Sequence, residues 1–147
     1  MFRNPSKDAV DEFKHEALMM AKVSHHPNVV NFIGASFPPD GMAMVLGLCA
    51  GGSLLNALEK HKLDADMKTR VLGEVASALS FLHSLGIVHR DVAARNVLLD
   101  GSGKAKLADL GLSRLLEDKQ GEQQTASYVG PVRWMAPEAI LDRRYSS

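Results

Sequence analysis

Two carboxylates and one amide lie around a short predicted hairpin in the second half of the chain. Asn96 stands directly before the apolar run Val97–Leu99, and Asp109 directly follows the run Lys104–Ala108, with a glycine-rich turn between them. A hairpin fixes the distance between its two ends, so Asn96 and Asp109 are expected to face one space. Oxygen ligands with few further protein donors suit Mg²⁺, which keeps waters and takes its other ligands from substrate phosphates. Asp91, five residues before Asn96, would then be available to accept a proton from a hydroxyl. Each of these residue types alone is common in turns, so the hypothesis depends on their joint placement.

The elements that must position these residues follow from hydrophobic periodicity and turn chemistry. Helices are predicted from Ser6 or Asp8 to Val23, from the capping residue Ser53 to about Lys60, and from Asp64 or Asp66 to Leu85, with Gly86 past the end. Strands are predicted over 29–37, 43–48, 87–88, 97–99 and 104–108. The segment 112–125 is polar and weakly patterned, which predicts a long loop. The glycine pair at 51–52 is typical either of a simple turn or of a hinge at which a ligand lies against the backbone.

Two of these helices carry further information. The apolar stripe of the first helix consists of Val10, Phe13, Ala17, Met20 and Ala21, and Glu16 lies at its edge. In the third helix the apolar arc widens to roughly 220°, which predicts burial by neighbours on more than one side. Because the chain supplies few long helices to do this, the pattern favours a segment of a larger domain.

Composition excludes several classes of protein. The 147 residues carry 17 basic and 17 acidic side chains, which argues against a general nucleic-acid binder. No apolar run is long enough to span a bilayer, so no membrane segment is expected within the chain. An apolar content of 46% with zero net charge is enough to form a core, which excludes disorder. The single Cys49 fits a reducing compartment, and the histidines lack the spacing of a structural zinc site.

Three motifs then give a family resemblance that covers nearly the whole chain. His89–Leu99 (HRDVAARNVLL) resembles the catalytic loop of eukaryotic protein kinases. Asp109-Leu110-Gly111 is similar to their metal-binding triplet, and Ala136-Pro137-Glu138 to the motif that closes their activation loop. The resemblance implies an α+β, bilobal kinase-like fold that is incomplete here. It assigns residues 1–46 to the small lobe, 47–53 to the hinge and 54–147 to part of the large lobe.

The resemblance also implies a role for each site residue, with ATP and Mg²⁺ as cofactors. Asp91 would orient the acceptor hydroxyl, while Asn96 and Asp109 would hold the metal that bridges the ATP phosphates. Glu16 would pair with an ATP-binding lysine. The implied adenine site consists of the gatekeeper Leu46, backbone groups of Gly47, Leu48 and Cys49, and Leu98 under the ring.

The acceptor is expected to be tyrosine in a protein substrate. Kinases acting on Ser or Thr generally place a lysine two residues after the catalytic Asp, where this chain has Ala93, and here the cation is Arg95. The segment 131–135 ahead of Ala136 also resembles tyrosine kinases. The alternatives are a Ser/Thr kinase of the tyrosine-kinase-like group and a pseudokinase or scaffold that acts as a binding module.

Regulation and context follow from the same resemblance. Arg90 could pair with a phosphate on the loop that follows, where Tyr128 is the predicted phosphorylation site and Thr125 and Ser127 are its rivals. The sequence contains no Gly-rich phosphate loop and no ATP-binding lysine strand, so we expect negligible phosphoryl transfer by these residues alone. The need for ATP and the lone cysteine predict a cytoplasmic location.

Overall fold

The computed structural model describes residues 7–36 and 41–110, together with the backbone of residues 114–115. The first helix, α1, spans Lys7–Val23 and packs against a two-stranded antiparallel sheet made of β1 (Phe32–Ser36) and β2 (Ala43–Leu46). The two strands pair from Ser36 opposite Ala43, with an irregularity between Phe32 and Gly34. Because α1 begins at Lys7, Asp8 lies inside the first turn, where its charge suits the helix dipole.

The buried stripe of α1 differs from the predicted one. Ala17 and Met20 are buried as expected, but Ala21 is exposed and Met19 and Val23 are buried in its place. The buried face of α1 is therefore rotated from the predicted one, toward Met19 and Val23. Glu16 is half-buried at its edge, where the sequence pattern placed it.

The predicted strand over 29–37 is wrong at its beginning. Val29 and Val30 are buried, but they do not continue β1. Val29 forms a parallel bridge with Leu107, and the Val30 N–H donates to the Leu107 carbonyl oxygen at 2.9 Å. Parallel pairing between residues so far apart in sequence produces no local sequence pattern. The apolar run 29–37 was therefore predicted as one strand, although its beginning pairs with β6 and β1 pairs with β2.

The glycine-rich segment after β2 forms a turn that leads into β3 (Gly52–Ser53) and α2 (Leu54–Glu59). β2 ends at Leu46, two residues before the predicted strand end at Leu48. Gly52 has a φ of +73°, a value that glycine adopts without strain. The Ser53 hydroxyl accepts the Asn56 N–H at 3.2 Å and caps α2, as predicted.

The long helix α3 spans Ala65–Ser84 and is capped by Asp64, whose Oδ1 accepts the Met67 N–H at 2.8 Å. Gly86, at a φ of +70°, follows its C-terminus as predicted. Among the described residues, burial of α3 is confined to one side, because Val71, Ala78 and Leu82 are buried whereas Leu72 is 70% exposed. No described helix is long and apolar enough to cross a membrane.

The remaining strands are short and lie on either side of the loop that carries Asp91 and Asn96. β4 (Ile87–Val88) leads into a loop with a 3-10 turn at Ala94–Asn96, and β5 (Val97–Leu99) then pairs with β6 (Ala105–Leu107). The sheet order is β3-β5-β6, so Gly52–Ser53 and the β5–β6 hairpin share one sheet. β7 (Arg114–Leu115) pairs with β4, which corrects the prediction of an unstructured loop over 112–125 at those two positions.

One hydrophobic core joins α1, α3 and the hairpin. Its fully buried side chains include Met20, Leu82, Ile87, Leu107 and Leu110. The β5–β6 hairpin is therefore packed against this core. The core supports Asp91 and Asn96, which are themselves buried.

Candidate functional site

His89 joins the two loops that carry the candidate carboxylates. Its Nε2 lies 3.1 Å from the Ala108 carbonyl oxygen, and its Nδ1 accepts the Asp91 N–H at 3.3 Å. These partners assign the proton to Nε2 in a neutral ring. Burial lowers the pKa of His89, while the Ala108 carbonyl and the charges of Asp109 and Asp91 oppose that shift. The neutral His89 ring therefore links the backbone of Asp91 to that of Ala108, the residue before Asp109.

The Asp91 carboxylate is held by two neighbours. Arg95 Nη2 lies 2.5 Å from Oδ1 and 2.8 Å from Oδ2, and Asn96 Nδ2 donates to Oδ2 at 2.8 Å. The Asp91 side chain is 9% exposed and that of Arg95 is 43% exposed, so the cation reaches the carboxylate from the solvent side. These donors fix the orientation of a buried acid.

Asn96 and Asp109 come together through the backbone of the hairpin. The Ala108 N–H donates to the Asn96 carbonyl oxygen at 2.8 Å, and Asp109 is the next residue along the chain. Asn96 Nδ2 uses both of its protons, one on the Asp91 carbonyl oxygen at 2.9 Å and one on the Asp91 carboxylate. The amide orientation is therefore fixed, and Oδ1 is the atom of Asn96 that can ligate a cation.

The donor set fits Mg²⁺. One amide oxygen and one exposed carboxylate provide hard oxygen ligands and leave room for waters and phosphates. Within the described part of the chain, no group of three or more His, Cys, Asp or Glu side chains could hold a metal unaided. A cation at this site would thus need a second molecule, such as a nucleotide, to complete its ligands.

Glu16 of α1 lies in the same electrostatic environment. Partial burial raises the pKa of the Glu16 carboxyl, and the negative charge of Asp109 raises it further. Two carboxylates that repel each other across a space create a site that favours a cation. Helix α1, the loop that carries Asp91 and the β5–β6 hairpin therefore contribute acidic groups to one region.

Strained backbone marks the same region. Three described residues other than glycine have positive φ, and two of them are Arg90 at 65° and Asp109 at 62°. Such conformations cost about 1–3 kcal/mol each and persist where the surrounding structure imposes them. Arg90 directly precedes Asp91, and Asp109 follows the end of β6 by two residues.

The predicted adenine-binding segment lies beside the same sheet. The Gly51 N–H donates to the Leu99 carbonyl oxygen at 2.8 Å, and Ser53 pairs with Leu98, which is half-buried in β5. Leu48 is 90% exposed, whereas Gly47 and Cys49 are half-buried and Leu46 is exposed at 39%. Burial raises the pKa of the Cys49 thiol, the charge of Lys106 opposes this shift, and Asp100 makes the smallest contribution, which raises the pKa. The thiol is therefore neutral at physiological pH.

Two side chains that sequence reasoning did not assign to the site contact β6 directly. Glu74 of α3 accepts the Ala105 N–H through Oε2 at 2.6 Å, and Asn28 donates through Nδ2 to the Ala105 carbonyl oxygen at 3.0 Å. The one available signal was Glu74, a single charge inside the apolar arc of α3. The sequence contains no comparable signal for Asn28, because asparagine is common in turns.

Several predicted residues lie outside the described part of the chain. They are Gly111 of the triplet, the loop residues Thr125, Ser127 and Tyr128, and the segment 131–138 that contains the Ala-Pro-Glu motif. The predicted roles of these residues therefore stay predictions.

Comparison with known proteins agrees with the motifs. The family model of protein tyrosine and serine/threonine kinases matches residues 1–147. The mitogen-activated protein kinase kinase kinase bck1 of Aspergillus fumigatus is 37% identical over 116 residues, which are 78% of this chain and 7% of the relative. Mitogen-activated protein kinase kinase kinase 1b of Physcomitrium patens is 31% identical over 138 residues, covering 94% of this chain and 18% of the relative.

A third relative is a Dictyostelium discoideum protein named as a probable serine/threonine-protein kinase. It is 38% identical over 133 residues, covering 88% of this chain and 22% of the relative. The chain thus spans less than a quarter of the length of these relatives. The match over the whole chain confirms the α+β kinase-like fold, and it shows that the chain belongs to the family of protein tyrosine and serine/threonine kinases.

Proposed function

We propose that this chain forms the catalytic-loop region of a kinase that transfers the ATP γ-phosphoryl group to a hydroxyl of a protein substrate. The proposal is supported above all by the linked contacts of Asp91, Asn96 and Asp109. Asn96 Nδ2 bonds to the Asp91 carboxylate at 2.8 Å, and the Asn96 carbonyl oxygen accepts the N–H of the residue before Asp109. Asn96 therefore joins a candidate proton acceptor, which its side chain holds, to the segment that carries a candidate metal-binding acid, which its backbone holds.

The hydrogen bonds at Asp91 indicate which oxygen would act on the substrate. A carboxylate has about four lone-pair positions, and Oδ2 already accepts from both Arg95 and Asn96. Among the described residues, Arg95 is the one donor to Oδ1, so this oxygen retains a position for the acceptor hydroxyl. In the proposed reaction a bond forms between that hydroxyl oxygen and the γ-phosphorus, the bond to the β–γ bridging oxygen breaks, and the proton passes to Asp91 Oδ1. The nucleotide leaves as ADP.

The remaining site residues bind and orient the reactants in this proposal. Asn96 Oδ1 and the Asp109 carboxylate would hold Mg²⁺, which when bound neutralises the charge of the phosphates. Backbone groups of Gly47, Leu48 and Cys49 would bind adenine, with Leu46 and Leu98 against the ring. Glu16 would pair with a lysine of the nucleotide site, a role that fits the acidic environment it shares with Asp109.

The lobe boundaries and the regulatory residues belong to the same proposal. Residues 1–46 would form part of the small lobe, 47–53 the hinge and 54–147 part of the large lobe. Arg90 would bind a phosphate on the following loop, with Tyr128 as its predicted carrier. A cytoplasmic site of action follows from the need for ATP.

For the acceptor we propose serine or threonine. The similarity to a Dictyostelium discoideum protein named as a serine/threonine kinase supports this choice over the tyrosine expected from the catalytic-loop pattern. Tyrosine stays the second candidate for one reason. Ala93, two residues after Asp91, is buried and uncharged, and the cation at the site is Arg95 instead.

The test uses the full-length natural protein that contains these residues. We expect Mg²⁺-dependent incorporation of label from γ-labelled ATP into a protein acceptor, with acid hydrolysis yielding phosphoserine or phosphothreonine. Asp109→Asn should reduce incorporation by at least about 100-fold, because it removes a ligand charge. The exposed Asp66→Asn, in the first turn of α3, is the matched control and should leave incorporation unchanged. Phosphotyrosine as the sole product would reverse the acceptor assignment, and incorporation unaffected by Asp109→Asn would refute the site.

A further inference from the structure

The outer edge of β6 is satisfied largely by groups from outside its own hairpin. Both backbone groups of Ala105 bond to side chains, the N–H to Glu74 Oε2 at 2.6 Å and the carbonyl oxygen to Asn28 Nδ2 at 3.0 Å. At Leu107 the N–H donates to the Asn28 carbonyl oxygen at 2.8 Å, and the carbonyl oxygen accepts from Val30. Asn28 therefore binds β6 at two successive outward-facing residues, once by its side chain and once by its backbone.

Asn28 is itself fixed by helix α3. Its N–H donates to Nδ1 of His26 at 3.1 Å, and the His26 ring stacks on Phe81 with centroids 4.7 Å apart and an interplanar angle of 16°. His26 Nε2 lies 3.5 Å from the Ser77 hydroxyl. Glu74, Ser77 and Phe81 follow one another at helical spacing, so a single side of α3 holds both β6 and the loop that pairs with it.

These contacts hold the strand that leads to Asp109, the candidate metal ligand. β6 is three residues long, and directly after it Ala108 donates to Asn96 and accepts from His89. Asp109 follows. A strand this short has few bonds of its own, so the bonds at its outer edge contribute a large share of its positional restraint. Because Asn28 follows α1 by five residues, the same bonds also restrain the C-terminal end of the helix that carries Glu16.

We propose that Asn28 and Glu74 are positioning residues of the metal site, which hold β6 so that Asp109 is presented to the cation beside Asn96. The proposal rests on the proposed kinase function. It differs from a purely structural role in one respect. Loss of either side chain should loosen the Ala108–Asn96 contact and weaken cation binding even in protein that stays folded.

The variants are Asn28→Ala, Glu74→Ala and Glu74→Gln in the full-length natural protein. Glu74→Gln keeps an acceptor oxygen for the Ala105 N–H and should stay close to wild type. Glu74→Ala and Asn28→Ala should each weaken Mn²⁺ binding in the presence of ADP by about 10-fold, the scale seen when groups behind a metal ligand are removed. Exposed positions on α2 provide the matched controls, Glu59→Ala and Asn56→Ala, which should bind Mn²⁺ like wild type.

A second measurement reports on geometry and needs no catalysis. Amide hydrogen exchange of Ala108, which is bonded to Asn96, should be at least about 5-fold faster in Asn28→Ala and Glu74→Ala but unchanged in Glu74→Gln. Unchanged Mn²⁺ affinity and unchanged Ala108 exchange in folded variants would overturn the proposal. Should the alanine variants fail to fold, wild-type protein decides, because cation binding and β6 order are reciprocally linked. Mn²⁺ with ADP should then slow exchange at Ala105 and Leu107, and unaltered rates would refute the coupling.

The phosphoryl-transfer assay separates this proposal from the one on which it rests. A wild-type protein that binds Mn²⁺ with ADP but never transfers phosphate would refute the kinase proposal, while weaker Mn²⁺ binding by Asn28→Ala and Glu74→Ala would still support the positioning role. Active wild-type protein whose Asn28→Ala and Glu74→Ala variants keep their cation affinity would refute the positioning role alone.

Discussion

Gly51→Ala tests the contact between the segment that precedes β3 and the hairpin that carries the candidate site. A Cβ at position 51 would lie 2.8 Å from both Leu99 Cβ and the Leu99 carbonyl oxygen, and 3.0 Å from the Asp100 carbonyl oxygen. To reach an ordinary contact of 3.4 Å the two segments must separate by about 0.6 Å. The Gly51 N–H donates to that same Leu99 oxygen at 2.8 Å, so the separation would also lengthen the hydrogen bond beyond its useful range.

The expected cost combines two effects. Overpacking against backbone costs about 1–3 kcal/mol, and a weakened hydrogen bond adds about 1 kcal/mol. We therefore expect Gly51→Ala to lower the free energy of unfolding by about 2–4 kcal/mol in urea denaturation. Binding of ADP, measured by calorimetry, should weaken as well, because residues 47–49 precede this contact.

Gly73→Ala provides a matched control of opposite sign. Gly73 lies in the exposed middle of α3, and an added Cβ there meets no atom within 4 Å. The substitution should stabilise the protein by about 1 kcal/mol, because alanine loses less conformational freedom in a helix. If Gly51→Ala is as stable as wild type and binds ADP equally well, the inferred close packing of residue 51 on β5 is wrong.

Three further predictions concern the charges of the site. The lowered pKa of His89 means that the unfolded state takes up a proton first as the pH falls, so the contribution of His89 to the unfolding free energy should be level above the ordinary histidine pKa of about 6.5 and decline below it, as should that of His26, whose pKa burial also lowers. An NMR titration of His89 with a midpoint above 6.5 would contradict this. Asp109→Asn should bring the raised pKa of Glu16 down toward its ordinary value, leaving only the effect of burial, and an unchanged NMR titration of Glu16 would show that the two carboxylates do not interact. Arg95→Ala should lower kcat by about 10-fold, because Asp91 Oδ1 loses its donor, and should change the KM for ATP little. The loss of stability should stay below about 1 kcal/mol, because the Arg95–Asp91 pair is partly solvated. A raised KM for ATP with normal kcat would place Arg95 in nucleotide binding instead.

Much of the local structure was predictable because its causes are local. The caps Ser53 and Asp64, the C-terminal Gly86 and the β5–β6 hairpin all follow from residues within a few positions of each other. The proximity of Asn96 and Asp109 belongs to this class, because a hairpin alone joins them. The kinase family was likewise identified from contiguous motifs.

The contacts that were not predicted join residues distant in sequence. Val29 and Val30 pair with β6, and Arg114 and Leu115 pair with β4, across separations that carry no periodic signal. The function of Glu74 depends on where α3 lies relative to β6, which a helical pattern does not specify. The acceptor residue was also not settled by the local pattern. The residues Ala93 and Arg95 predicted tyrosine, whereas a relative named as a probable serine/threonine kinase supports serine or threonine.

The central claim is that Asp91 accepts the proton of the substrate hydroxyl in a site assembled with Asn96 and Asp109. The most direct test is steady-state phosphoryl transfer by full-length Asp91→Asn protein at saturating Mg²⁺. Asparagine keeps the size of the side chain but provides no carboxylate, so kcat should fall by at least about 100-fold while the KM for ATP stays within about twofold of wild type. A variant that retains wild-type kcat would contradict the account.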